Sequence, residues 1–267
     1  GRTMGSYRVV DMGASLMSQL IIGVLEPASY VSYNLLALLC CATLIPLTLT
    51  KVAQPETPKA PRLRPMLAIK RSPLAAVGVV VAALSGASFR MTGPIFGQQV
   101  GLEITTIAYF LASFVLGGAI AQYPIGFIAD KIDRRWVLIW LSFTAIISCI
   151  FTANINTNNT YILMLTAGIF GFTTFPIFSV AAAHAHDFAQ DYERVELSAA
   201  LMFFYAVGAI AAPYTASILM QSFGPSALFY LIASGHVGLV VFGFYRMLSR
   251  PPVEEKTDYI LSLIHIS

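Results

Sequence analysis

Eight apolar stretches, each about long enough to cross a bilayer, occupy most of this chain, and they limit what it can fold into more than any other feature. They run approximately 7–25, 29–50, 73–98, 105–127, 135–153, 160–183, 197–221 and 226–247. About 20 residues rising 1.5 Å each cross a hydrocarbon core of about 30 Å. Inside lipid every backbone N–H and C=O must find a partner within its own segment, so such stretches become helices. A soluble helical bundle would show a polar stripe every three or four residues; segments such as SPLAAVGVVVAALSGASF show none. The fold class expected is therefore all-α, a multispanning membrane protein.

Composition supports this and excludes other classes. Only 11% of the 267 residues are charged, against roughly 25% in soluble domains, and mean hydropathy is +0.74. The net charge of +3 comes without a basic face or aromatic-basic interleaving, so nucleic acid is not an expected partner. Cys40, Cys41 and Cys149 all lie in apolar runs and provide no disulfide framework. The opening Gly1 lacks both an initiator and a signal-peptide pattern, which suggests a chain cut at its front. Residues 261–267 look like translated adapter sequence and are set apart from the fold as a non-native tail.

Charge placement orients the spans. Residues 51–72, KVAQPETPKAPRLRPMLAIKRS, form a basic linker whose Pro55, Pro58, Pro61 and Pro65 are expected to break helix; it divides two spans (1–50) from six (73–250), with a tail over 251–260. If each connection reverses direction, 15 of the 16 Lys and Arg residues fall on one side, leaving only Arg90. The positive-inside bias places that side, and both termini, in the cytoplasm. Small residues recur at Gly117–Ala119, Gly168–Gly171 and Gly208–Pro213, where they would let helix backbones approach closely.

The most specific motif follows the fourth span, a charged loop reading Gly126-Phe-Ile-Ala-Asp130-Lys131-Ile-Asp133-Arg134-Arg135. It resembles the G-x-x-x-D-[RK]-x-G-[RK]-[RK] signature of the major facilitator superfamily, with Gly126, Asp130, Lys131, Arg134 and Arg135 matching and Asp133 in place of the second glycine. The resemblance implies two six-helix halves joined by a long basic linker, so this chain would supply helices five to twelve of a twelve-helix carrier in a bacterial inner membrane. It also implies that the loop is a conformational switch stabilising the outward-facing state, with a partner near residues 5–11. More narrowly, Ala183-His184-Ala185-His186-Asp187 followed by GAIAAP resembles bacterial carriers of the YcaD type. The G-x-x-x-G-P-x-x-G-G signature of many drug exporters is absent over 13–23.

The function expected is secondary transport of a small solute by alternating access, in a monomer that uses no cofactor and no metal. Arg90, deep in the span 73–98, is a candidate ligand for an anionic or carboxylate-bearing solute, the competing reading being a snorkelling side chain paired with Glu103. Pro94, Pro124, Pro176 and Pro213 interrupt spans and could kink them around a cavity. Around Pro176, Thr173, Thr174 and Phe175 are candidate lining residues. His184 and Asp187 are candidates for a cytoplasmic gate; with His186 they could instead begin a metal site of a membrane-embedded enzyme, although residues i and i+2 of a helix do not face the same way. A channel or receptor is a further alternative. No acid lies deep in these spans, so a coupling proton or ion has no visible site, and no G-x-x-x-x-G-K-[ST] loop suggests direct ATP use.

Overall fold

The structure, a computed structural model, describes residues 29–49, 63–155 and 159–249, together with 13–18, 20–21 and Leu25. The span expected over 7–25, the proposed switch partner at 5–11, the linker over 51–62 and the tails over 251–267 lie wholly or largely outside the described residues. Within them the architecture is helical: α1 Tyr30–Leu49, α2 Pro65–Arg71, α3 Pro73–Gln99, α4 Ile104–Lys131, α5 Arg134–Asn154, α6 Thr160–His186, α7 Arg194–Phe223 and α8 Ala227–Ser249. Helices α3 to α8 are each long and apolar enough to cross a membrane.

The helix starts follow from short polar caps. Ser72 Oγ accepts the Ala75 N–H at 3.1 Å and Pro73 takes the first helical position, where its missing N–H has no carbonyl to serve. Asp133 caps α5 through the Arg135 N–H at 3.0 Å, and Asn159 caps α6 through the Ile162 N–H at 3.3 Å. Gly224, at φ 87°, closes α7 in a left-handed turn that disfavours side chains bearing a Cβ.

Two expectations need correction. The linker does not stay unstructured to its end: Pro65 starts the seven-residue α2 instead of breaking a helix, because proline at the first position suits a helix. The switch motif is not a loop either. Gly126 to Lys131 are the last turns of α4, Arg134 and Arg135 begin α5, and only Ile132 and Asp133 lie between. Nothing in Phe127–Lys131 breaks a helix, so the backbone keeps its own hydrogen bonds. Likewise, α6 runs on through His184 and His186.

Glycine sets the closest packing. A Cβ built on Gly171 would lie 1.9 Å from the Phe114 carbonyl oxygen, and one on Gly117 would lie 1.9 Å from that of Gly168, so α4 and α6 meet backbone to backbone. Helix α3 packs chiefly on α7, and α5 on α8. Gly97 lies against Ile107 at one end of α3, and Gly78 against Ala181 at the other. The start of α3, the end of α6 and the α4–α5 turn therefore share one end of the bundle, here termed the basic end.

Candidate functional site

Arg134 is the centre of the basic end. Its side chain is only 1% exposed, so its charge must be met by partners inside the bundle. One nitrogen, Nη1, donates to Asp187 Oδ1 and to the Ala183 carbonyl (3.2 Å), both near the end of α6. The other, Nη2, donates to Asp130 Oδ1 at 3.2 Å, one turn back across the α4–α5 turn. Asp187 is 4% exposed while Asp130 is 40% exposed, so the cluster has one sealed carboxylate and one that opens outward. A single arginine thus ties three helices together.

Asp133, the departure from the family signature, has a local task. With φ −60° its backbone is extended and needs no glycine. Its carboxylate caps α5 and accepts from Arg135 Nε at 2.9 Å and Nη2 at 2.7 Å. Burial alone would raise the Asp133 carboxyl, but these bonds from the Arg135 side chain and backbone outweigh it and hold the group below its ordinary value. Lys131 stands over the Phe127 ring at 4.0 Å. Gly126 is buried in the last turns of α4.

The two histidines go to different neighbours. His184 stands edge-on to Phe188, with ring centroids 5.2 Å apart, whereas His186 Nε2 meets Ser198 Oγ at 3.1 Å on α7. Because the Ser198 hydroxyl donates to the Arg194 carbonyl at 2.9 Å, it accepts from His186. Among the described residues, no three His, Cys, Asp or Glu side chains come together around a space for one ion. The partner of Asp187, Arg134, lies in the same six-helix unit.

The candidate solute residues are brought together only in part. Arg90 is exposed on α3 and its guanidinium lies over the Phe175 ring of α6, 5.3 Å from the centroid. No ion pair joins Arg90 to Glu103 among the described residues. Thr173 and Thr174 are buried and return their hydroxyls to the Phe170 carbonyl of their own helix, at 3.0 and 2.8 Å. Thr173 borders a different space, an open and largely apolar cavity of about 760 Å³ between α4, α5 and α6.

Other polar contacts were not foreseen. Buried His236 of α8 meets buried Ser85 of α3 at 2.8 Å; a lone histidine in ASGHVG gives no hint of its partner. Arg71 meets Glu193 at 2.6 Å and Arg64 meets Glu196 at 3.3 Å, fixing α2 to the start of α7. The caps at Asp133 and Asn159, by contrast, carry a signal in the sequence, a short polar side chain within three residues of an apolar run.

Comparison with known proteins decides the family. The profile of the Major Facilitator Superfamily matches residues 75–262. The chain belongs to the major facilitator superfamily. It is 27% identical over 259 residues to an uncharacterized MFS-type transporter of Enterobacter sp. (strain 638), covering 96% of this chain and 65% of that protein. It is 29% identical over 258 residues to the uncharacterized MFS-type transporter YcaD of Escherichia coli O17:K52:H18, covering 94% of this chain and 63% of the relative. The YcaD protein of Shigella flexneri is 28% identical over the same span. The chain thus spans somewhat under two thirds of the length of these relatives. As a superfamily member it is an integral membrane protein of all-α, multispanning architecture, in a family of transmembrane transporters.

Proposed function

We propose that this chain is the larger part of a secondary carrier that moves a small solute by alternating access, with the basic end in the cytoplasm of a bacterial inner membrane. The observation that carries this reading is the Arg134 cluster. It is a buried cation shared between a sealed carboxylate, Asp187, and an exposed one, Asp130, at the turn where the family signature lies. A sealed pair fixes α5 on α6. The open face of Asp130 is available to a further helix in one conformation and to water in the other, which makes Gly126, Asp130, Lys131, Arg134 and Arg135 a switch whose contacts differ between states. Asp187 serves this latch from within the same half.

Arg90 supplies the solute-facing cation in this reading. It stands about 26 Å along α3 from Pro73 at a rise of 1.5 Å per residue, exposed and, among the described residues, set over an aromatic face. The class of solute it fits is a small anion. The test uses the complete carrier reconstituted in liposomes with a panel of labelled monocarboxylates, dicarboxylates and neutral sugars. Saturable uptake with counterflow of an anion, lost in Arg90→Ala and retained in Arg90→Lys, supports the reading. Uptake unchanged in Arg90→Ala removes the solute role of Arg90. Flux without counterflow removes the carrier mechanism.

A further inference from the structure

Four elements converge at the basic end around Arg135, next to the Arg134 cluster. They are the start of α3 at Ser72 and Leu74, the first turn of α5 at Arg135, the end of α6 with Phe188 just beyond it, and the last turn of α8 at Arg246. Together they enclose a hollow of about 10 Å³, room for one water-sized atom. Among the described residues, the polar side chains on its wall are Ser72, Arg135, His184 and Arg246, with no carboxylate.

Each of these groups can donate. Ser72 Oγ already accepts the Ala75 N–H, which leaves its O–H proton for another acceptor. The 27-residue α3 brings the positive end of its dipole to the same point. Arg135 is neutralised by Asp133, and Asp187, the other acid near His184, is committed to Arg134. Arg246, half-buried, has no acidic partner among the described residues. His184 is 6% exposed and makes no hydrogen bond among the described residues, its ring contact being the edge of Phe188. Among the described residues, a buried imidazole that makes no hydrogen bond, an arginine with no acidic partner and a helix N-terminus converge on one hollow, and together they select an anion.

The surroundings select its kind. Just beside the hollow on the outer seam of α5 and α8, Trp136 stands edge-on to Phe244 at 6.0 Å, and Trp140, Tyr245 and Leu248 are exposed. Aromatic side chains at a helix end, next to basic ones, mark the headgroup level of a bilayer. We infer that the hollow between Ser72, His184, Arg135 and Arg246 seats one phosphate oxygen of an anionic phospholipid, whose headgroup rests on Arg246 and whose acyl chains lie along Trp136 and Phe244. A lipid bound there would bridge α3, α5, α6 and α8 at the end opposite the phenylalanine cluster. This inference does not depend on what the carrier transports.

Native mass spectrometry of the complete carrier in mild detergent, with added phosphatidylglycerol or phosphatidylcholine, tests it. The parent is expected to retain one phosphatidylglycerol in preference to phosphatidylcholine. Arg246→Gln lowers that occupancy about tenfold, and Lys70→Gln, which removes an exposed cation at the same end, leaves it unchanged. Arg246→Lys restores binding and keeps the test decisive if the glutamine variant fails to fold. Equal retention in Arg246→Gln, an equal loss in Lys70→Gln, or equal binding of phosphatidylcholine overturns the proposal. So does complete displacement of phosphatidylglycerol by millimolar inorganic phosphate, because the seat would then take free anions and not lipid.

Discussion

The two ends of the six-helix bundle are packed by different means. At the end away from the described Lys and Arg residues other than Arg90, Phe89 lies within 4.3–6.4 Å of Phe110, Phe114, Phe170 and Phe229, and Phe96 joins the same group. At the basic end the buried apolar side chains are aliphatic, with alanine the commonest, Ala75, Ala121, Ala129, Ala181, Ala185 and Ala200 among them, and the tight joints are ionic. Interlocked aromatic rings have one good arrangement and lose contacts continuously as they separate. Ion pairs and small-residue surfaces can separate and re-form with discrete partners. The difference gives the alternating-access proposal a division of labour within this half: interlocked rings that would hold together at one end, and at the other the proposed latch.

Two substitutions of similar cost should separate these roles most sharply. Asp187→Ala leaves Arg134 buried with its sealed partner gone and should destabilise the carrier by about 3–5 kcal/mol. Phe89→Ala opens a cavity among the aromatic rings and should cost about the same, roughly 3–5 kcal/mol. Thermal unfolding followed by intrinsic fluorescence measures both. Only Asp187→Ala should also change the conformational distribution, read as the alkylation rate of a cysteine introduced at exposed Lys70 at the basic end, in a background with the native cysteines replaced. An unchanged rate in Asp187→Ala, or an equal change in Phe89→Ala, would erase the distinction between the ends.

A glycine pair on α6 tests whether the bundle tolerates any loosening between α4 and α6. Gly171→Ala places a methyl group where the Phe114 carbonyl oxygen stands, and since backbone must move, about 1–3 kcal/mol or more is lost. One turn earlier, a Cβ on Gly168 meets only the Ser113 carbonyl oxygen at 3.6 Å, an ordinary contact. Gly168→Ala should therefore be neutral, or gain up to about 1 kcal/mol from helix propensity. Equal melting temperatures for the two variants would contradict the packing described.

Much of this arrangement was legible in the sequence, and the remainder fails for identifiable reasons. Hydrophobic length alone marks the helices α3 to α8, because lipid leaves the backbone no alternative to helix. The bias of Lys and Arg likewise foretold one basic end. The turn between α4 and α5 is shorter than the charged decapeptide suggests, because Asp130 and Lys131 are ordinary residues of a helix end. Arg134 was expected in the switch motif and Asp187 in a separate gate; that they are partners depends on the docking of α5 on α6, which leaves no local signature in either segment. The Arg90–Phe175 contact is of the same kind. Thr173 and Thr174 seemed suited to a solute because they are polar at mid-span, yet hydroxyls in an apolar helix satisfy themselves on the preceding turn.

A smaller effect probes the join between the α4 and α5 ends of the latch. Asp133→Gly restores the residue found in the family signature but removes the cap of α5 and the partner of Arg135. Glycine is itself a tolerable cap, so the loss should be a few tenths of a kcal/mol for the cap, with Asp133→Ala costing about 1 kcal/mol. Thermal unfolding of the two variants side by side checks the order. If alanine is as stable as aspartate, the carboxylate does not act as a cap.

The smallest expected effect concerns α2, which belongs to the basic end but is tied on by ion pairs that are in part open to solvent. The hydrogen bond from Arg71 holds the Glu193 carboxyl below its ordinary value, and Glu193 in turn raises Arg71. A carboxyl lowered in the folded state stabilises the docked arrangement at pH above its ordinary value, and that contribution is lost as pH falls through the lowered value. The Arg71 guanidinium stays charged throughout. Spin labels at Met66 on α2 and Tyr192 beside Glu193, both exposed, should therefore give one narrow distance distribution at neutral pH that broadens in the acid range. Glu193→Gln should be broad at every pH, and the sealed Arg134–Asp187 pair should be untouched by the same variant. A distribution that stays narrow in acid and in Glu193→Gln would show that α2 is held by its apolar contacts, with Ala68 fully buried against the bundle, and that the basic end is less dependent on charge than the comparison with the phenylalanine end requires.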